Sequence, residues 1–152
     1  MQLVPEKNIA TGKQAQELGR SKGGFTTKLH ASCDGSGKPL RFFITAGQRS
    51  DYTKALALIE GKHMSVLIAD KGYDANYMIE AGKKVGAKVI IPPRRNRIIQ
   101  REYDKELYKE RNIIERMFNK MKHFRRVATR YDKLDVAYLS FVFLAAIYLY
   151  IK

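Results

Sequence analysis

Two short apolar segments joined by a helix-like stretch constrain the fold of this chain more than any other feature. Residues 65–69 read SVLIA and residues 88–91 read KVII, continuous apolar runs typical of buried strands. Residues 75–85 between them have a helical pattern that ends at Gly86, and Pro92-Pro93 closes the second run. This order predicts a βαβ unit with parallel strands. Asp70 then lies at the carboxyl end of the first strand, the edge where α/β sheets bind ligands.

A β-hairpin is predicted before this unit. The β-forming segments 25–33, FTTKLHASC, and 40–45, LRFFIT, flank the turn signal DGSG at residues 34–37. A helix is expected over residues 51–61, capped by Ser50 or Asp51 and ended by Gly61. Residues 1–24 are polar and show neither helix nor strand period, so we expect a loosely ordered arm ahead of one domain at 25–152.

The segment 108–122, YKERNIIERMFNKMK, places one carboxylate among cations on a predicted helix. At about 100° per residue, Tyr108, Arg111, Glu115 and Lys122 fall within roughly 60° of one another around the axis. An adjoining apolar face should press the helix against a core and leave Glu115 at the border with something polar. Its members are Leu107, Ile114, Phe118 and Met121.

The strong positive charge favours a polyanion as partner. The formal net charge is +14, and nucleic acid is the first candidate for such a basic domain. The basic run Lys120, Arg125, Arg126 and Arg130 could follow a DNA backbone, although a solvated face would look the same. The single cysteine, Cys33, fits a reducing compartment.

The apolar segment 136–151 raises the question of a membrane anchor. It is shorter than the ~20 residues needed to cross a bilayer core, and it contains tyrosines and a serine. We therefore predict a buried C-terminal helix and no membrane partner. The start of the chain also lacks the apolar core of a signal peptide, which favours the cytoplasm.

Asp70 and Glu115 are the candidate metal ligands. Carboxylate oxygens hold Mg²⁺ or Mn²⁺ while leaving positions for water and phosphate. Two such ions about 4 Å apart could activate a water or a 3′-hydroxyl for attack on a phosphodiester. Two carboxylates so far apart in sequence are also explained by a turn-capping Asp and a surface ion pair of Glu115.

The spacing of Tyr108, Arg111, Glu115 and Lys122 resembles the YREK signature of bacterial insertion-sequence transposases of the DDE class. Four other segments resemble the same family in the expected order, and together they cover most of the chain from Gly19 onward. These are GRSKGGFTTKLH from Gly19, ADKGYDA from Ala69, IPPRRN from Ile91 and FRRVATRYDK from Phe124. The resemblance implies an RNase H-like mixed sheet flanked by helices.

The resemblance also implies functions for these residues. Asp70 would be the second and Glu115 the third catalytic acid, holding Mg²⁺ or Mn²⁺ for cleavage and strand transfer at the ends of a mobile element. Tyr108, Arg111 and Lys122 match positions that grip double-stranded DNA near the cleaved end. A homodimer in a synaptic complex is compatible with this chemistry. Asp74 has no implied role and is predicted to cap the helix that begins near Ala75.

One part of the family pattern is missing. The first catalytic Asp should lie on a strand before the GRSKGG segment, but no Asp precedes Gly19, and Glu6 follows Pro5 in a stretch without strand character. We therefore expect an amino-terminally truncated domain that lacks its first, central strand, is inactive alone, and has unpaired inner strand edges. A polypeptide from an upstream reading frame could supply both strand and Asp. The alternative is a DNA-binding relic or inhibitor without catalysis, which would show salt-sensitive binding and no nuclease activity.

Overall fold

Strands and helices are mixed throughout the computed structural model, which describes residues 19–21, 24–47, 49–50 and 54–151. The strands are β1 (Gly19–Ser21), β2 (Gly24–Cys33), β3 (Pro39–Ala46), β4 (Val66–Ile68) and β5 (Lys88–Ile90). The helices are α1 (Ala55–Ile59), α2 (Asn76–Lys84), α3 (Lys105–Tyr108), α4 (Asn112–Lys122), α5 (Arg125–Ala128) and α6 (Asp135–Ile151). Short 3₁₀ helices occupy Lys71–Tyr73 and Lys109–Arg111. The predicted α/β class is confirmed.

The predicted hairpin is confirmed as the antiparallel pair β2 and β3, with Leu29 opposite Ile44 and Ala31 opposite Phe42. The side chain of Asp34 organises its turn, because Oδ1 accepts hydrogen bonds from the amides of Ser36 and Lys38, both at 2.9 Å. β1 pairs antiparallel with the start of β2. The sequence pattern predicts no strand at Gly19–Ser21, and the rest of the predicted arm, residues 1–18, 22 and 23, lies outside the described residues.

The predicted βαβ unit is also confirmed. β4 and β5 pair in parallel, with Leu67 opposite Val89, and α2 connects them. The helix packs closely on the strands at Gly82, where a Cβ atom would lie 2.5 Å from Val89 Cγ2 and 3.1 Å from Leu67 Cδ2. Gly86 follows the helix with a φ of +77°, a conformation that favours glycine at a helix end. Of the helix predicted over 51–61, the described residues form α1, and its N-cap position is Lys54 rather than Ser50. The other expected cap, Asp51, lies outside the described residues.

The described strands form two separate small sheets, β1-β2-β3 and β4-β5. Each sheet has its own apolar cluster. The hairpin cluster joins β2 and β3 to α4, α5 and α6 and is centred on Met117, Met121 and Val142. The βαβ cluster joins α1, α2, β4 and β5 around Ala55, Met78 and Ile91. A single RNase H-like sheet stays a prediction.

The C-terminal segment is helical as predicted, but it is buried on one face only. Tyr138, Val142, Ala145 and Ala146 pack into the hairpin cluster, whereas Leu144 is 61% exposed and Ile147 53%. The predicted burial of the helix is confirmed on this face, and the opposite face stays exposed because the cluster contacts only one side of α6. No helix among the described residues is long and apolar enough to span a membrane.

Candidate functional site

Asp70 directly follows β4, at the strand end where the sequence pattern places it. Its side chain caps the 3₁₀ helix Lys71–Tyr73, because Oδ1 accepts a hydrogen bond of 2.6 Å from the Gly72 amide. The bond fixes the direction of the carboxylate. Asp70 is therefore a capping residue, as one of the two readings of the sequence proposes, and it also faces the cleft described below.

Glu115 lies in the first turn of α4, and its side chain is 51% exposed. Arg111 Nη2 lies 2.7 Å from Glu115 Oε1, and the Arg111 guanidinium lies 5.5 Å from the centre of the Tyr108 ring. The single helix expected over 108–122 is instead α3, a 3₁₀ turn and α4 in succession. Backbone angles stay in the right-handed helical region from Tyr108 to Asn112, so these three side chains remain neighbours.

The carboxylates of Asp70 and Glu115 line the same cleft, which has a volume of about 980 Å³. Its walls are the consecutive residues 28–35 of β2 and its turn, residues 64–70 around β4, and the start of α4. Among the predicted site residues, Asp70, Arg111 and Glu115 line it. Two acids that are far apart in the sequence therefore share one concave surface, together with a cation.

The charges of Asp70 and Glu115 both affect the pKa of Tyr108. Burial raises the pKa of the Tyr108 phenol, and the negative charges of Asp70 and Glu115 raise this pKa further, against the opposing effect of Arg111. The phenol therefore stays protonated at neutral pH and can donate a hydrogen bond to a phosphate oxygen.

The remaining predicted DNA contacts lie along α4, α5 and the loop after α5. Lys122 is exposed and lines, with Glu115 and Tyr138, a second cavity of about 490 Å³. Arg125 and Arg126 are exposed, and Arg126 Nη1 lies 3.2 Å from Asp132 Oδ1. Arg130 is different, because its side chain is 9% exposed and its guanidinium donates to Thr27 Oγ1 and Asp135 Oδ1, both at 2.7 Å. A contact of Arg130 with DNA stays a prediction, and any such contact would have to be shared with these partners.

One residue of the DKGYD segment, Tyr73, makes a contact that sequence analysis missed. Tyr73 Oη lies 3.3 Å from His30 Nδ1, and His30 Nε2 lies 2.8 Å from Thr45 Oγ1. His30 and Thr45 are buried in the hairpin, so this chain of polar contacts connects the Asp70 segment to the other sheet. A histidine among apolar strand residues was the available signal, but it does not identify a partner.

Asp74 does not cap α2 as predicted. The N-cap position belongs to Ala75, and the Asp74 carboxylate, 1% exposed, instead binds the Arg94 amide and the guanidiniums of Arg97 and Arg101. Burial raises the pKa of Asp74, but the Arg94 amide, Arg101 and Arg97 outweigh it, and the pKa falls below its usual range. These contacts therefore contribute stability above about pH 4, lost only as the pH falls through the lower folded-state pKa.

The donor set in the cleft is suited to a hard divalent cation. Mg²⁺ is commonly held by one or two carboxylates together with waters and substrate phosphates, and Mn²⁺ accepts the same ligands. Within the described ranges, no group of three or more His, Cys, Asp or Glu side chains is placed to hold a metal ion. Asp70 and Glu115 supply carboxylates of this kind to the cleft, and their binding of a shared ion stays a prediction.

Cys33 provides a chemical probe of the cleft wall. Burial and the neighbouring charge of Asp34 raise the pKa of the Cys33 thiol to about 11. Alkylation by iodoacetamide at pH 8 should therefore be about a hundredfold slower than for an ordinary exposed thiol, because only the thiolate reacts. The rate, followed by mass spectrometry, should rise about tenfold per pH unit and level off near pH 11. A plateau below pH 9 would contradict this, and the urea-unfolded chain is the control.

Comparisons with known proteins agree on one family. A family model described as a transposase DDE domain matches residues 6–150. A protein of Brucella ovis, named as a candidate transposase for insertion sequence element IS6501, is 39% identical over 132 residues, which cover 84% of this chain and all of the relative. A protein of Burkholderia cepacia, named in the same way for element IS402, is 29% identical over 119 residues, covering 70% of this chain and 54% of the relative. No solved structure gave a significant match.

Proposed function

Because this chain belongs to the transposase DDE domain family of insertion-sequence elements, we propose that Asp70 and Glu115 are two of its catalytic carboxylates. The proposed reaction is metal-dependent cleavage and strand transfer at the ends of the element. One observation carries the assignment: the two acids line the same cleft although they come from different parts of the chain. The proposed place of action is the cytoplasm, on the DNA of the nucleoid.

The proposed mechanism uses the residues of the cleft in distinct ways. Asp70 and Glu115 would hold Mg²⁺ or Mn²⁺, which when bound supplies activation of the attacking water or 3′-hydroxyl and stabilisation of the leaving oxygen. The guanidinium of Arg111, beside Glu115, is placed to bind a phosphate oxygen at the same time as it orients the carboxylate. Tyr108, whose ring lies beside the Arg111 guanidinium, would donate its phenolic hydrogen to a phosphate oxygen of the bound DNA.

We propose that the basic side chains beyond the cleft bind the phosphate backbone of double-stranded DNA. Lys122, Arg125 and Arg126 are exposed along α4 and α5, and a protein of net charge +14 attracts a polyanion. Arg130 would act mainly by supporting this surface through its contacts with Asp135 and Thr27. Joining two element ends requires two active sites, so a homodimer in the synaptic complex belongs to this proposal.

We propose that a third carboxylate is carried by an additional β-strand that binds in the cleft. The Gly47 amide donates to the Thr26 carbonyl, and hydrogen-bonded pairs alternate along an antiparallel ladder. Even-numbered residues of β2 therefore bond to β3. Leu29 and Ala31 direct their backbone groups to the opposite edge of β2. Ser65 and Ala69, which flank β4, form backbone hydrogen bonds with β5. Val66 and Ile68 therefore direct their backbone groups to the side of β4 that faces away from β5. Among the described strands, none pairs with the edge of β2 that faces away from β3 between Leu29 and Cys33, and none pairs with this side of β4.

These unpaired edges of β2 and β4 both line the cleft. Consecutive rather than alternate residues of β2 and β4 line it, as expected for strand edges rather than sheet faces. An extended segment placed there could pair with both edges and would stand next to Asp70. We propose that an extended segment that carries the first catalytic Asp, joined to this chain or supplied as a separate polypeptide, provides this strand, and that the described residues without it have little activity.

A comparison of two proteins tests this function: the present chain, and the same chain extended by a segment that carries a strand-borne Asp. We expect Mg²⁺-dependent cleavage and joining of DNA carrying the element ends only with the extended protein. The inserted strand should also slow alkylation of Cys33. Failure of the extended protein to cleave or join would contradict the catalytic assignment and favour the DNA-binding relic.

A further inference from the structure

The segment Arg94–Arg101, called here the wedge loop, is an ordered loop with two exposed isoleucines. Ile98 is 100% exposed and Ile99 75%. The loop contains four arginines and no acidic residue. A pair of apolar side chains that reach into solvent from a basic loop suits a surface that offers both negative charge and an apolar slot.

The wedge loop is held in shape by internal hydrogen bonds. The Arg97 amide donates to the Arg94 carbonyl at 3.0 Å, and Gln100 Nε2 donates to the carbonyls of Arg97 at 2.8 Å and Arg94 at 3.1 Å. Arg97 and Arg101 flank the two isoleucines in sequence, and both bind the Asp74 carboxylate. The isoleucines therefore stand on a closed, tethered loop, which lowers the entropy cost of inserting them into a partner.

The same loop is fastened to the segment that begins with Asp70. Arg94 Nη2 donates to the Gly72 carbonyl at 2.8 Å, Arg94 Nε donates to the Lys71 carbonyl at 3.2 Å, and the Arg94 amide donates to Asp74 Oδ2 at 2.8 Å. Asp70 itself bonds to the Gly72 amide. The backbone of one short segment therefore connects the wedge loop to a candidate catalytic acid.

We propose that the wedge loop inserts Ile98 and Ile99 between base pairs of duplex DNA beside the acidic cleft, and that Asp74 positions the loop for this insertion. The proposal rests on the proposed function, which makes DNA the partner. Apolar wedges that enter a base step unstack and kink the duplex. The exposed Arg95 and the incompletely neutralised Arg97 and Arg101 supply the positive charge that a phosphate backbone requires. Opening the duplex near Asp70 would give the cleft access to a distorted strand.

Fluorescence of 2-aminopurine measures this unstacking directly. Duplexes carrying the element end, each with 2-aminopurine at one position, would be titrated with the full chain, and we expect a several-fold rise at one or two adjacent positions. The double variant Ile98→Ser/Ile99→Ser should lose most of that rise while it still binds DNA, because the arginines remain. Ile151→Ser is the matched control, since Ile151 is 82% exposed at the end of α6 and the chemical change is identical.

The possible results separate this proposal from the proposed function. An equal fluorescence rise in the double variant, or no rise despite saturated binding, would overturn the wedge alone. Preferential loss of binding to anionic phosphatidylserine vesicles by the double variant, with the DNA signal unchanged, would assign the loop to a membrane surface and overturn it as well. Absence of any DNA binding would overturn both proposals. A normal fluorescence rise without strand transfer by the extended protein would contradict only the catalytic assignment.

Discussion

Replacement of Glu115 by Gln is expected to lower strand transfer by about a thousandfold or more, measured in the extended protein that carries the strand-borne Asp. The substitution keeps the size of the side chain and removes the negative charge that holds a divalent cation. DNA affinity should stay the same or rise slightly, because a negative charge beside Arg111 is removed. A gel assay of joined products with Mg²⁺ gives the rate, and fluorescence anisotropy gives the affinity.

Glu106→Gln is the matched control for this variant. Glu106 is 82% exposed, lies on α3, pairs with Lys109, and is absent from the cleft wall. Its loss should change strand transfer by less than about twofold, since exposed ion pairs contribute little. Equal activity of Glu115→Gln and the parent protein would contradict the catalytic role of Glu115 and return it to the simpler reading of a surface ion pair with Arg111.

Truncation of Met121 to Ala is expected to destabilise the chain by about 2–5 kcal/mol, which is roughly a 30-fold or larger loss in the folding equilibrium. Met121 is 0% exposed at the centre of the hairpin cluster, where α4 meets α5 and α6. The higher helix propensity of Ala offsets only a few tenths of a kcal/mol of the lost packing. Urea unfolding should show a lower midpoint with an unchanged slope.

Leu144→Ala is the control for the packing argument. It removes a side chain of similar size from a helix of the same cluster, but Leu144 is 61% exposed. The unfolding free energy should change by no more than about 0.5 kcal/mol. Similar destabilisation by both variants would show that the outer face of α6 is buried in solution and would contradict the one-sided packing of that helix.

Most of the local structure could be predicted from the sequence. The hairpin, β4, α2 and β5 were predicted close to their observed bounds, because alternating or continuous apolar runs and turn glycines are properties of neighbouring residues. The helix around Glu115 was predicted as well. Its 3₁₀ turn at Lys109–Arg111 was missed, since no residue there breaks a helical pattern. The pairing of Gly19–Ser21 with β2 was missed because three residues carry too little pattern.

The candidate site was predictable in its residues but not in its arrangement. The strand-end position of Asp70 and the spacing around Glu115 marked both acids, yet neither feature states that they line one cleft. Asp74 illustrates the limit most clearly. An Asp just before a helix predicts a cap, but contacts with Arg97 and Arg101, more than twenty residues further on, displaced that local role.

The sequence alone determined the α/β class, the order of most strands and helices, the basic character and the family of this chain, because these depend on composition and on short-range patterns. Only the tertiary structure decided which distant residues come together: Asp70 and Glu115 line one cleft, Tyr73 contacts His30 between the sheets, and the wedge loop contacts Asp74. These arrangements depend on how distant segments pack around the two apolar clusters, and no local spacing in the sequence encodes that packing.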